Sequence, residues 1–506
     1  KNTAMKKFML STVCLGLLFA SCSSDDDGGQ TQIQNPNPNP LSVSDFPNQN
    51  FMWQAMNLWY FWQADVNDLA DDRFATNAEY AEFLSQNPNQ EDFFYNICNN
   101  HVRVVGDQLA VDRFSVARSN YEDLVNSLAG VSRSNGLEFG ILRVADNSDN
   151  LFGYVQYVLP DSDASTKDIQ RGEVFTRVNG QQLTVGNYIG LLFTGDDTYT
   201  LGMANIVNGV LVDSNKEVTL TKVEGFQENP ILVAETLDVN GTKIAYLMYN
   251  RFLNEFDEEL NAAFGQFVAD GATELVLDMR YNPGGSVNTS RLLSSMVHST
   301  DVNKLYLRQR WNSKIQEQLS QAQLEDYFAN TTPGGAPINS LNLSTVYVLA
   351  TNDSASASEL VMNGLAPYVN VVHIGETTSG KNEFSITLVA DSGNSFIYSP
   401  SRENQIDPQV AWGLQPLVGR NENADGFFDY TAGLSPTIPL EEDLTNLGIL
   451  GDVNEPLLAR AIQQITGTTT RRSFDVQMPI KRFVSSGAMT GMGDRMFLDK
   501  DLSLEK

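Results

Sequence analysis

The sequence predicts an α/β fold that carries a helical module and a β-rich module, and three observations predict it. Between residues 229 and 467, short apolar runs alternate with helical periodicity, the pattern of a parallel sheet with crossover helices. From 47 to 130 the apolar residues recur at helical spacing, and from 131 to 228 they alternate with period two between glycine turns. A chain of 506 residues has room for about three domains of roughly 150 residues each. Its formal charge of -29 argues against a nucleic-acid partner, which needs basic surface.

The stretch MKKFMLSTVCLGLLFASC, Met5 to Cys22, joins Lys6 and Lys7 to an apolar run too short to span a bilayer, so residues 1–21 read as a signal peptide. Its end, Phe19-Ala20-Ser21-Cys22, resembles a bacterial lipobox, and the acidic run from Ser23 to Asp27 resembles the export signal of Bacteroidetes lipoproteins. The resemblance implies lipid on Cys22 and a lipoprotein of the outer membrane in a bacterial cell envelope. The Asn-Pro repeats in 22–46 read as a tether.

In the helical module, residues 47–130, Met52, Met56, Trp59 and Tyr60 form an apolar stripe. A second helix is expected through ATNAEYAEFLSQ, capped by Thr76 or Asn77, and a third through QEDFFYNICNN. Cys98 in that third run is a core residue by periodicity. With Cys14 and Cys22 in the leader region, it leaves neither a disulfide framework nor a cysteine-rich metal site.

In residues 131–228, GLEFGILRV and GYVQYVLP alternate as strands. Arg171-Gly172-Glu173-Val174 and Val178-Asn179-Gly180 resemble turns of PDZ domains. The resemblance implies a PDZ-like β-domain that takes polypeptide C-termini by strand addition, with Gly136, Leu137, Phe139 and Gly140 cradling the carboxylate. Glu138, in the same loop, would repel that carboxylate.

The α/β segment, 229–467, orders KIAYLMYN, a helix from Glu255 to Ala269, the buried strand Glu274 to Arg280, the turn Tyr281 to Gly285, and a helix from Val287 to Val297. TVYVLA, a helix from Ser356 to Tyr368, NVVHIG and EFSITLVA follow. A polar helical stretch between Arg308 and Ser344 reads as a surface insertion, and residues 468–506 as a tail without regular structure.

A hydrolytic nucleophile needs a base and an oxyanion site. The chain has only His101, His298 and His373, each in a structural setting, and no GxSxG elbow, so a lysine is the better candidate base. NDSASASEL, Asn352 to Leu360, follows the buried strand TVYVLA and offers Ser354, Ser356 and Ser358. Ala357 can present a free N–H at the helix start, Glu359 lies one turn on, and Gly284 and Gly285 allow a close backbone approach. Lys381 ends the loop GETTSGK.

ELVLDMRYNPGG, VLATNDSASASELV, IGETTSGK and GFFDYTAGLSPTIPL, in this order, are similar to the C-terminal processing (tail-specific) peptidases, S41-type serine proteases. The resemblance implies a crotonase/ClpP-like protease core with Ser356 as nucleophile, Lys381 as general base, and Glu359 as accessory acid. It also implies Ala357 with Gly284 or Gly285 as oxyanion donors, polypeptide tails as substrates, and no metal or other cofactor. The twenty-five residues from Ser356 to Lys381 agree with the family spacing and choose among the three serines. Tyr281 and Asn382 depart from the family pattern. The competing reading is a non-catalytic peptide-binding envelope lipoprotein on a decayed protease core. An acyl-CoA enzyme on the same fold has no support from an envelope location.

Overall fold

Three neighbouring parallel strands, Glu274–Asp278, Thr345–Ala350 and Asn370–Gly375, end at the same edge of one sheet, because Asp278 pairs with Leu349 and Ala350 with Gly375. The glycine turn, the serine turn and the lysine loop follow those three ends, where open parallel sheets gather functional groups. This computed structural model describes residues 41–467, 474–489, 496–500 and 502, so the leader 1–21, Cys22 and the tether up to residue 40 lie outside the described residues.

The sheet has six strands, with Ile231–Val239 and Thr242–Tyr249 leading antiparallel and Ile438–Pro439 closing it in parallel. The expected helices are present as Asp257–Asp270, Val287–Val297 and Ala357–Leu365. Ser286 caps the second, its hydroxyl accepting from Thr289 N at 2.9 Å.

A second six-stranded sheet runs in the order Gly285–Ser286, Met496–Phe497, Glu383–Ser385, Leu417–Asn423, Leu305–Trp311 and Glu325–Tyr327. The expected polar helix after Arg308 is instead broken into Ser313–Gln316 and Gln321–Leu324, followed by the strand Glu325–Tyr327. Pairing of Arg308 with Glu325, reinforced by an ion pair at 2.8 Å, ties this segment into the sheet. EFSITLVA keeps only Glu383–Ser385 as strand, and its pairing register shifts between Phe384 and Ser385.

The helices Pro47–Trp59, Asn77–Ser85 and Gln90–Asn96 match the helical module, with Thr76 accepting from Glu79 N at 3.2 Å as the second cap. Met52, Met56, Trp59 and Tyr60 are buried in one hydrophobic cluster with Leu277, Trp311 and Phe384 of the α/β part. Val116–Arg118, inside the stretch expected to be helical, is a strand on Gly413–Gln415. The helices therefore share a core with the α/β part. Cys98 is buried, its thiol pointing at Phe94 O.

The β-domain is an antiparallel sheet in the order Arg482–Ser485, Leu137–Arg143, Leu151–Val158, Val174–Val178, Thr198–Val207 and Val210–Thr221, with Gln181–Gln182 paired to Val174–Val178. Its first strand comes from the tail expected to lack regular structure. Four residues carry no periodic signal of their own; they become a strand by completing the open edge of Leu137–Arg143.

Candidate active site

Three serines in one turn have three different fates. Ser354 Oγ donates to Met279 O at 2.7 Å and accepts from Thr351 N, and Ser358 Oγ donates to Asn282 O at 2.9 Å. Both brace the turn. Ser356 Oγ is buried and has no hydrogen-bond partner among the described residues. Ser356 is also the strained residue of the turn, at φ 65° and ψ -114°, a conformation costly for a side chain other than glycine. It stands at the N-cap of Ala357–Leu365, where free N–H groups and the helix dipole favour negative charge.

Glu359 organises the surroundings. One carboxylate oxygen accepts from Ser356 N at 2.7 Å and Lys381 N at 2.8 Å; the other accepts from Thr378 Oγ1 at 2.5 Å and Gly380 N at 2.7 Å. Serine turn and lysine loop are thus clamped on one side chain. Burial pushes the Glu359 carboxyl up to about 7, against four hydrogen bonds that favour its ionised form.

Lys381 is 1% exposed, and its Nζ lies 4.9 Å from the centroid of the Phe114 ring. The neighbouring Arg113 guanidinium bonds the carbonyls of Gly380 and Thr431, holding the lysine loop from the helical side. Burial raises the Glu383 carboxyl, and Lys381 and Arg113 pull it back down.

The glycine turn is joined to the serine turn through Asn282. Its carbonyl accepts from Ala355 N and Ser358 Oγ, its amide donates to Tyr249 O at 2.8 Å, and its side-chain oxygen accepts from Gly284 N at 2.9 Å. Gly284 N–H is therefore spent within the turn. Gly285, at φ 140°, lies so close to Phe252 that a Cβ would meet Phe252 O at 2.2 Å.

A buried ionic network ties the β-domain to this turn. Arg171 donates to Tyr281 Oη at 2.8 Å and to Glu442 Oε1 at 2.9 Å, and Tyr281 Oη donates to Glu442 at 2.6 Å. Burial would raise Glu442, but Arg171, Arg280 and Arg482 hold it down at about 2. Gln156 of the β-domain and Arg482 of the tail both bond Asp353, three residues before Ser356.

The expected carboxylate cradle is engaged differently. Gly136 N donates to Ser134 Oγ and Leu137 N to Asn135 Oδ1, while Phe139 N donates to Ser486 Oγ at 2.9 Å; Gly140 pairs with Ser485. A cavity of about 280 Å³ adjoins it, lined by Asn135, Glu138, Phe193, Lys222, Arg251 and Ser486 among others.

The histidines are held elsewhere: His101 contacts Ser115 O, His298 contacts Leu343 O and His373 contacts Ala350 O. Among the described residues, no group of three or more His, Cys, Asp or Glu side chains is disposed to hold a metal ion, and no helix is long and apolar enough to cross a membrane. Sequence reasoning missed Phe114, Arg113, Thr378 and Asn282. Only Thr378 and Asn282 carried a signal, as members of the quoted motifs.

Residues 243–410 match the family model of peptidase family S41, and residues 48–116 match the peptidase S41 N-terminal domain. Both matched segments, 237 of the 506 residues, are those of peptidase family S41. It is similar to a protein of Staphylococcus aureus named as a CtpA-like serine protease, at 22% identity over 287 residues, covering 55% of this chain and 48% of the relative. A carboxyl-terminal-processing protease of Picosynechococcus is 30% identical over 142 residues, 28% of this chain and 30% of that protein. The chain spans about half the length of the first of these curated relatives. A crystal structure from Bacteroides fragilis described as an S41 protease superposes with a TM-score of 0.61 at 29% identity, over 83% of this chain and 97% of that one.

Proposed function

We propose that this chain is a serine endopeptidase that cleaves polypeptides with a Ser356–Lys381 dyad in a crotonase/ClpP-like core. The observation that carries the reading is the Ser356 hydroxyl at a helix N-terminus, without a hydrogen-bond partner among the described residues and clamped beside Lys381 by Glu359. Ser356 Oγ attacks the scissile carbonyl carbon while its proton passes to Lys381 Nζ. The oxyanion is received by Ala357 N–H and by Gly285, since Gly284 N–H is already spent on Asn282. Lys381 then gives the proton to the leaving amine, and a water, deprotonated by Lys381, hydrolyses the acyl ester.

The β-domain is read as PDZ-like and as the module that holds the polypeptide near the site. The sequence supports a lipoprotein of the outer membrane held by Cys22, a reading that rests on the lipobox resemblance alone. The competing reading, a non-catalytic peptide-binding lipoprotein, draws on the absence, among the described residues, of a hydrogen bond from Ser356 Oγ. Lys381→Met keeps the side-chain volume and removes the base. Incubated with an unfolded polypeptide, it is expected to lose at least about 10³-fold in kcat with unchanged thermal unfolding. Wild-type rates in Lys381→Met, or binding without cleavage by the wild type, would overturn the reading.

A further inference from the structure

We propose that the chain's own C-terminal segment is the resident ligand of the peptide-capturing edge and of the strand slot beside Ser356, so that a polypeptide in trans must displace it. The inference rests on the peptide-capture reading above.

At the β-domain, Arg482–Ser485 adds antiparallel to Leu137–Arg143, with Arg482 opposite Leu142 and Ser485 opposite Gly140. Main-chain pairing at an open sheet edge is how extended peptides are taken up. Side chains add selectivity. The Phe483 ring packs 5.7 Å from Tyr188 and under the Arg143 guanidinium. Ser486 then reaches the place where a terminal carboxylate is expected: Phe139 N donates to Ser486 Oγ at 2.9 Å, and that hydroxyl donates to Glu138 Oε2 at 2.6 Å.

Glu138 thereby changes meaning. It is buried, with its carboxyl raised to about 7 by burial, and a carboxylate ligand in the same place would face a second acid. A hydroxyl offers the donor that Glu138 needs. The edge is built for an internal segment with a serine at this register, and the chain supplies one.

The same segment reaches the candidate active site twice. Arg482 bonds Asp353, which precedes the serine turn. Further on, Met496–Phe497 forms a strand between Gly285–Ser286, which follows the glycine turn, and Glu383–Ser385, which follows Lys381. Ser385 Oγ donates to Met496 O at 3.0 Å, Leu498 N to Ser385 O at 3.0 Å, and Ser286 Oγ to Asp499 Oδ2 at 2.7 Å. A substrate strand passing Ser356 between the oxyanion and lysine strands would need this position. Ser356 is 0% exposed in this arrangement.

Tethering makes the occupancy strong. A segment of the same chain acts at an effective concentration on the order of 1 mM, so a trans strand of equal intrinsic affinity at about 1 μM is outcompeted roughly a thousandfold.

The test uses the full chain and a labelled synthetic peptide with the sequence of residues 480–489, followed by fluorescence anisotropy, in parallel with cleavage of an unfolded polypeptide. Ser486→Glu sets a like charge against Glu138, and Val484→Pro weakens the ladder independently. Either variant is expected to bind the peptide at least about tenfold more tightly than wild type and to cleave faster. A peptide carrying Ser486→Glu is expected to bind at least about tenfold more weakly than the native one. Equal peptide affinity in wild type and both variants, or no loss in the altered peptide, overturns the inference. If the binding changes appear with no cleavage by any form, the tail occupancy stands and the peptidase reading fails. If cleavage proceeds equally in all forms and binding is unchanged, the reverse holds.

Discussion

The backbone N–H groups of Ser356 and Lys381 donate to the same oxygen of Glu359, at 2.7 and 2.8 Å. Residues twenty-five apart in sequence are placed side by side by one side chain. Glu359→Ala would leave four buried donors without their acceptor, each worth about 1–3 kcal/mol when unsatisfied. The variant is expected to lose more than about 3 kcal/mol in urea unfolding, with peptidase activity lost. Glu359→Gln, whose amide faces N–H groups in either orientation, is expected to lose less but still at least about 1 kcal/mol.

Glu359 and Glu138 both have carboxyls raised to about 7, chiefly by burial. The folded protein therefore holds their protons more tightly than the unfolded chain, whose glutamates titrate near about 4.3. Their contribution is fully present below that value and is lost as pH rises through about 7. Thermal unfolding midpoints are expected to fall between pH 4.5 and 7.5, and the fall is expected to be shallower in Glu138→Gln. Glu442 acts in the opposite sense: its carboxyl, held at about 2 by three arginines against burial, withdraws stability as pH drops below the unfolded value.

Gly285→Ala is expected to damage the strand Gly285–Ser286 and the oxyanion site proposed there. The new Cβ would sit 2.2 Å from Phe252 O at a φ of 140°. A cost of about 1–3 kcal/mol in stability and a fall of at least about 10²-fold in kcat are expected. Gly186→Ala, where the nearest contact to an added Cβ is at 4.0 Å, serves as the control and should change stability by less than about 0.5 kcal/mol.

Arg280 is fully buried among Asp278 at 2.7 Å, Glu455 at 2.6 Å and Glu442 at 3.2 Å. Arg280→Met would leave buried carboxylates uncompensated directly beneath the glycine turn. A loss of about 3–5 kcal/mol in denaturant unfolding is expected.

The α/β core was legible because its signals are local. The runs at Glu274–Asp278, Thr345–Ala350 and Asn370–Gly375 are apolar enough to be buried on both faces, and the helix Val287–Val297 appears with the expected bounds. Ser356, Glu359 and Lys381 stood in motifs that the sequence marked, and Glu359 bonds the backbone N–H groups of the other two. Arg113 and Phe114 were not, because they reach Gly380 and Lys381 across more than 260 residues of sequence. The tail strands were illegible for a different reason. Arg482–Ser485 and Met496–Phe497 are too short for periodicity and exist only through partners at Leu137–Arg143, Gly285–Ser286 and Glu383–Ser385. Glu138 looked misplaced in the sequence; its partner, Ser486, lies 348 residues away.

The central claim is that one hydroxyl of the serine turn is the nucleophile. It is tested most directly by kcat/KM for one unfolded polypeptide, measured side by side for wild type, Ser354→Ala, Ser356→Ala and Ser358→Ala, with folding checked by thermal unfolding. Ser354→Ala and Ser358→Ala lose bonds to backbone carbonyls and should cost stability while retaining measurable cleavage. Ser356→Ala, which removes a hydroxyl with no hydrogen-bond partner among the described residues, should unfold as wild type does and show no cleavage above background. Cleavage by Ser356→Ala at the wild-type rate would contradict the account.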